Sequence, residues 1–312
     1  MSIKLGTLCI IKMIFSVLSW LVWSLLVLLS VAFFTLFERK VIGLFHNRVG
    51  PNKVSLVGLI QPLLDAFKLL SKQNIVPLRS NKFVYNISPQ FSLFLSLFVW
   101  ATLPLSYFFL RINYSFLVFF CIGSIIVFSV LLSGWSSNSK YSLIGSLRSI
   151  AQSISYEAVI STLMVFFCYL VISFSIFEFS VSSSIILLYI FPIWFICILA
   201  ETHRAPFDFR ESESELVSGF NTEYSGAYFA FLFLSEYSIL LFSCFLIAYI
   251  YLEFLTSDFF IILVFTLVLS YLFIWVRITY CRFRYDLLIM FAWKILLPLT
   301  LFVFLVFVLF IF

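Results

Sequence analysis

The residues that could do chemistry are charged groups placed among apolar ones. Glu157, Glu236 and Lys294 fall inside long apolar runs, and Glu38 and Arg39 close another. A Glu side chain is too short to reach far toward water, so in lipid it marks an ion pair or a path for protons or ions. Between Glu201 and Glu223 stand six carboxylates in 23 residues: Glu201, Asp208, Glu211, Glu213, Glu215 and Glu223, against Arg204 and Arg210. Charge runs usually mark solvated loops. Here Ala205, Pro206, Phe207, Phe209, Leu216, Val217 and Phe220 interleave with the acids, which suits a segment folded back on a helix bundle. Crowding and dehydration both favour the protonated carboxyl, as a proton relay requires. On these residues alone the chain handles protons or cations at one face of a membrane, and the substrate is not visible.

Other chemistries lack their residues. The two histidines, His46 and His203, are far apart, and no two of Cys9, Cys121, Cys168, Cys197, Cys244 and Cys281 have C-x-x-C spacing. A cysteine-rich or mixed cysteine–histidine metal site within this chain is therefore not expected. Neither a phosphate-binding G-x-x-x-x-G-K-[ST] loop nor a strand-borne dinucleotide fingerprint is present. Redox cofactors, if any operate nearby, are expected on partners.

The elements that must position these groups are membrane helices. Of 312 residues, 63% are hydrophobic and 11% charged, against about 25% charged in a soluble domain, and the mean hydropathy is +1.17. Apolar runs predict eight crossings, at about 13–37, 87–110, 115–135, 154–176, 181–200, 226–252, 259–276 and 287–312. The whole chain reads as a single all-α polytopic domain, residues 1–312, with both termini on one side. That side holds three cations, Lys4, Lys12 and Arg111, whereas fifteen fall in the loops at about 38–86, 136–153, 201–225 and 277–286. The imbalance places those four loops on the cytoplasmic or matrix side and the termini outside. The first run is too long for a signal peptide, and residues 1–12 lack the pattern of a mitochondrial transit peptide. Within the first loop, Val54–Ser71 predicts an amphipathic helix. Gln61, Asp65, Lys68 and Lys72 share a stripe about 60° wide, and Pro62 is a candidate kink.

Several stretches resemble a known family in order along nearly the whole chain. They are Glu38-Arg-Lys-Val-Ile-Gly43, Arg48-Val-Gly-Pro-Asn-Lys53, Gln61-Pro-Leu-Leu-Asp-Ala-Phe-Lys-Leu69, Gly134-Trp-Ser-Ser-Asn-Ser-Lys-Tyr141, Ala151-Gln152 and Ile154-Ser-Tyr-Glu157. Further on come Glu201-Thr-His-Arg-Ala-Pro-Phe-Asp208, Glu213-Ser-Glu-Leu-Val-Ser-Gly-Phe-Asn221, Glu223-Tyr224, Glu236-Tyr237, Trp275-Val-Arg277, Arg282-Phe-Arg-Tyr-Asp286 and Trp293-Lys294. Together they resemble subunit 1 of NADH:ubiquinone oxidoreductase, respiratory complex I, in its mitochondrial form.

The resemblance implies eight transmembrane helices, an amphipathic helix after the first, and termini facing the intermembrane space of the mitochondrial inner membrane. It implies a ubiquinone chamber shared with two hydrophilic matrix-side subunits, and small membrane subunits leading to antiporter-like ones. FMN and iron–sulfur clusters would sit on partners, ubiquinone would be the bound substrate, and this chain would hold no redox centre. Glu38, Arg39, Asp65, Phe233 and Arg277 match positions lining the quinone cavity, with Arg48 and Lys68 as nearby basic candidates. Glu157, Glu201, Asp208, Glu211, Glu213, Glu215 and Glu236 match the acidic chain that couples quinone chemistry to proton translocation. The 43 phenylalanines fit a U-rich codon bias of an organelle genome.

His46, Val49, Gln73, His203, Ser212 and Cys281 depart from the usual pattern. The departures touch loop detail; His203, set among carboxylates, is a candidate for titration near neutral pH, with a structural hydrogen-bonding role favoured. Two other readings compete. A membrane subunit of a proton-pumping hydrogenase-type complex should diverge in the Arg-x-Gly-Pro-Asn and Glu-Ser-Glu-Leu-Val-Ser-Gly stretches, which are intact here. A stand-alone ion transporter should show inverted repeats, and no internal repeat is visible.

Overall fold

In the lipid core every backbone N–H and C=O must bond within its own segment, which leaves helices as the solution for runs this apolar. The computed structural model describes residues 2–103, 114–171, 173–176, 184–210, 219–252 and 259–311, and among them no strand occurs. The helices are α1 (Ser2–Phe45), α2 (Gln61–Ser71), α3 (Lys82–Val99), α4 (Ser115–Ser136), α5 (Lys140–Val171), α6 (Ser184–Glu201), α7 (Gly226–Leu252), α8 (Phe259–Thr279), α9 (Tyr285–Phe291) and α10 (Leu297–Ile311). A 3-10 turn, Gly219–Glu223, precedes α7, and a π-helical turn, Ala292–Leu296, joins α9 to α10. Among the described residues, seven stretches are long and apolar enough to cross a membrane: Val17–Phe45, Lys82–Thr102, Ser115–Ser136, Lys140–Val171, Gly226–Leu252, Phe259–Thr279 and Tyr285–Leu309. In α6 the apolar stretch Ile190–Glu201 is shorter.

Helix α3 packs on α4 and α7, α4 on α5, α5 on α6, and α7 on α8, while α1 lies across α2, α7 and α8. The centre is filled by Trp194, Tyr156, Phe166 and Phe167, all fully buried. Small residues set the closest approaches, as membrane packing favours. A Cβ on Gly134 of α4 would lie 2.2 Å from the Ser146 hydroxyl of α5, and one on Gly145 would lie 2.9 Å from Cα of Gly219. Serine hydroxyls inside the bundle bond back to the preceding turn, as in Ser129 to Ile126 O (2.7 Å) and Ser149 to Ser146 O (2.8 Å). That satisfies them without a partner helix. Leu267, Phe302 and Phe128 face outward.

The boundaries differ from expectation where polar residues are buried. The segment 136–153, expected as a loop, is helical from Lys140, and the crossing expected to begin at 154 is the second half of a longer helix. Ser142, Ser146, Ser149 and Gln152 recur at helical spacing and are buried, so their polarity marks packing, not solvent. The first helix runs through Glu38 and Arg39 to Phe45, which moves both out of the expected loop. The third helix begins at Lys82 instead of 87, and the final part of that expected crossing, 104–110, lies outside the described residues. The amphipathic helix is shorter than Val54–Ser71. Leu56–Gly58 is a separate turn with positive φ at Val57 and Gly58, and α2 starts at Gln61. Pro62 occupies its first turn, where no N–H bond is needed, and is not a kink. Lys72 is extended beyond the helix end and leaves the expected stripe.

Candidate functional site

Three helices and one loop converge on Glu38. It sits near the end of α1, 5% exposed, at a depth where a lone carboxylate would be costly. Its Oε1 meets the Arg277 guanidinium from the last turns of α8 and lies 3.6 Å from Nη1 of Arg204. Its Oε2 accepts a 2.6 Å hydrogen bond from the Tyr237 hydroxyl on α7. Arg204 also stacks over the Tyr237 ring at 4.2 Å. One carboxylate thus faces two guanidiniums, so the cluster carries a net positive charge, a setting that attracts an electron-rich or anionic group.

An apolar groove of about 670 Å³ runs along α1, α7 and α8, lined by Trp23, Val27, Phe34, Phe37, Leu241, Phe245, Leu267 and Ser270 among others. Its walls point at the cluster. Phe34 precedes Glu38 by four residues, Tyr237 precedes Leu241 by four, and Ser270 precedes Arg277 by seven, each on one helix face. The Phe34 and Tyr237 rings lie 5.8 Å apart.

A second polar group lies between α4, α5, α6 and α7. Glu157, Glu201, Thr202, His203, Arg210 and Glu236 line a cavity of about 70 Å³, room for a couple of waters at about 30 Å³ each. Gly123 of α4 leaves the Glu157 carboxylate space. Arg210, 5% exposed, pairs with Glu236 at 3.0 Å and stacks over Phe220 at 4.2 Å. The loop that carries Arg204 and Arg210 is clamped by fully buried Gln152, whose amide donates to Ala200 O and Phe207 O, both at 2.8 Å.

The remaining expected residues are dispersed. Arg39 and Asp65 pair at 2.6 Å on the exposed side of the α1–α2 joint, where Gln61 also donates to Asp65 at 2.9 Å. Arg48 and Lys68 are exposed. Phe233 packs its ring on Phe229 at 4.3 Å. Asp208 is half-buried. Glu211, Glu213 and Glu215 lie outside the described residues. The sequence reading left Arg204, Arg210, Tyr237 and Gln152 without roles. The signal was available for the first three, since two arginines in an acidic loop and a Tyr beside a membrane Glu are natural partners for buried acids.

Charge states in the loop follow from burial and neighbours. Burial, with Arg210 nearby, pushes His203 down to about 3. It is therefore neutral at physiological pH, which removes it as a candidate for titration near neutral pH. Its buried Nδ1 has no hydrogen-bond partner. For Arg204 burial opposes the charge, but Tyr237, Glu38 and Glu236 outweigh it and raise its pKa, so the guanidinium stays charged. Burial raises the Tyr224 phenol. No group of three His, Cys, Asp or Glu suited to a metal ion is found among the described residues.

A sequence model of the NADH dehydrogenase family matches residues 18–308. The chain is 46% identical over 293 residues to NADH-ubiquinone oxidoreductase chain 1 of Aedes aegypti, covering 92% of this chain and 93% of the relative. Identity to the chain 1 of Locusta migratoria is 45% over 290 residues (91% and 92%). To that of Branchiostoma lanceolatum it is 45% over 296 residues (93% and 94%). Matches this extensive place the chain in the NADH dehydrogenase family, among the chain 1 proteins of NADH-ubiquinone oxidoreductase.

Proposed function

We propose that the chain is the membrane subunit that forms the lipid-facing part of the ubiquinone chamber in respiratory complex I and passes the consequence of quinone reduction to a proton path. The observation that carries this reading is the groove of about 670 Å³ along α1, α7 and α8, the same three helices that one to two turns further on carry Glu38, Tyr237 and Arg277. An isoprenoid tail has the chemistry of the groove, and a quinone headgroup has the acceptors that the positively charged end would meet. Reduction of quinone takes two electrons and two protons. The electrons come from iron–sulfur clusters on a hydrophilic partner; no two cysteines of this chain have C-x-x-C spacing. Negative charge arising on the headgroup is stabilised by the arginines, pre-organised in a site poor in water.

Coupling follows the loop. Arg204 reaches Glu38 and Arg210 reaches Glu236, so one short segment touches both polar groups. When charge near Glu38 changes, the balance of this loop shifts, and the acids lining the cavity, Glu157, Glu201 and Glu236, alter how they share protons. Asp208, Glu211, Glu213 and Glu215 extend the same acidic path. In this reading α6 is the eighth crossing and α2 lies at the interface. The termini face the intermembrane space, and the loops face the matrix and the hydrophilic subunits of a multi-pass complex in the mitochondrial inner membrane. Arg39, Asp65, Arg48, Lys68 and Phe233 then frame the chamber mouth.

Arg277→Ala tests the assignment. NADH-to-quinone activity should fall at least tenfold, while NADH oxidation by an artificial acceptor, which bypasses the chamber, stays unchanged. An equal fall in both activities would mean lost assembly and would remove the support for the quinone site.

A further inference from the structure

A second apolar groove, walled in part by the 201–210 loop, holds a cation that the proposed function does not use. Its volume is about 760 Å³, and it is walled by Leu199 of α6, Phe207 of the loop, Tyr280 and Phe283 beyond α8, and Met290 and Lys294 beyond Tyr285. The end of the bundle is fixed by contacts. Tyr285 packs its ring on Phe209 at 5.7 Å, and the Phe283 amide donates to Pro206 O at 3.1 Å. Lys294 follows Tyr285 by nine residues, about 13 Å deeper at 1.5 Å per residue, and a lysine stem can lift its ammonium several ångströms back toward the loop end.

Three observations converge on this lysine. It makes no ion pair with any described residue, although it lies inside a 25-residue apolar span. It sits in the π-helical turn Ala292–Leu296, a distortion that is frequent where a helix serves a function. It also forms the cationic wall of a groove otherwise nearly all apolar. A cation inside an apolar span, on a stem that can reach back toward the loop-side headgroups from a slot for hydrocarbon, has the chemistry of a receptor for one amphiphile: an anion joined to acyl chains.

We propose that this groove binds an acidic phospholipid of the loop-side leaflet, with the phosphate on Lys294 and an acyl chain against Leu199, Phe207 and Met290. A protein helix would fill the apolar slot but would bring an anion to Lys294 only by coincidence of sequence. The inference rests on the membrane reading alone and is independent of the quinone assignment.

The test uses the intact complex reconstituted in phosphatidylcholine vesicles carrying a small fraction of a photoactivatable lipid. Photoactivatable phosphatidylglycerol should label the segment 287–295 several-fold more than photoactivatable phosphatidylcholine, and unlabelled phosphatidylglycerol should compete. Lys294→Gln should reduce that headgroup preference about fivefold, the share of one cation near a membrane surface, while Lys294→Arg retains it. Should Lys294→Gln fail to assemble, the headgroup comparison on the unaltered complex still decides. Equal labelling by the two headgroups would overturn the proposal. So would absence of lipid label together with crosslinks from this segment to a neighbouring subunit, which would make the occupant a protein.

Discussion

Tyr237→Phe removes one atom from the Glu38 cluster and almost nothing else. The ring stays, so its stacking with Arg204 at 4.2 Å and its contact with Phe34 at 5.8 Å persist. What is lost is the 2.6 Å hydrogen bond from the hydroxyl to Oε2 of Glu38, a carboxylate that is 5% exposed, together with the hydroxyl's hydrogen bond with Arg204. A hydrogen bond to a charged group contributes about 1.5–3 kcal/mol. At 1.4 kcal/mol per factor of ten, that corresponds to roughly ten- to hundredfold in any step that needs Glu38 in place. The low end is expected, because Arg277 and Arg204 still hold the other oxygen. The assay is NADH-to-quinone turnover in membranes across quinone concentrations, normalised to the artificial-acceptor rate that reports assembled enzyme. A loss of about tenfold, with the normalising rate intact, is the expected result. Turnover within twofold of the unaltered chain at every quinone concentration would refute the placement of the quinone headgroup at this cluster.

Three further outcomes follow from the acid cavity and its loop. Glu236→Gln keeps an oxygen for Arg210 at the 3.0 Å contact but cannot exchange a proton, so the complex should assemble and lose proton pumping; normal pumping in reconstituted vesicles would take Glu236 out of the path. Arg210→Ala instead strands a buried carboxylate. Breaking such a pair costs about 3–5 kcal/mol, and a native gel should show a marked drop in assembled complex. The pH dependence of stability carries the signature of His203, whose pKa is about 3 in the fold against 6.5 free. Above 6.5 the residue is neutral in both states and contributes no pH dependence. Below it the unfolded chain takes up a proton that the folded chain refuses, so stability falls with pH between 6.5 and 3. His203→Gln should flatten that decline in a thermal-melt series, and an unchanged slope would show that His203 is not shielded as described.

Hydrophobicity made the membrane helices legible, because apolar length is a direct physical requirement of crossing lipid. It misread the region from Lys140 to Ser153, where the face that looks polar in sequence is packed inside. Serine satisfies its own hydroxyl on the preceding turn, so it costs little to bury, and hydropathy treats it as surface. The site was legible in part for the same reason. A buried acid announces itself by type, so Glu38, Glu157 and Glu236 stood out, but its partners do not. Glu38 meets Tyr237 and Arg277 across 199 and 239 residues of sequence, and no local pattern specifies those distances. Arg48 and Lys68 entered as cations beside the matching motifs, and both project to the surface, a placement that motif spacing alone does not specify.

The deeper regularity is that Glu236 and Tyr237 are adjacent on α7 while serving different polar groups. Tyr237 bonds to Glu38, and Glu236 pairs with Arg210. Arg204 and Arg210, six residues apart on one loop, reach the same two groups from the other side. The groove end and the acid cavity are therefore joined twice, through one peptide unit of a helix and through one loop held by Gln152. Moving Tyr237 without disturbing Glu236 would require α7 to flex between consecutive residues, which a hydrogen-bonded helix packed against α3 and α8 resists. A mechanism that transmits quinone charge to protons thus needs no long relay inside this chain. It needs only that the loop have two settings of similar free energy, and a segment whose Arg204 stands between Glu38 and Glu236 is the part of the fold where two such settings would be found.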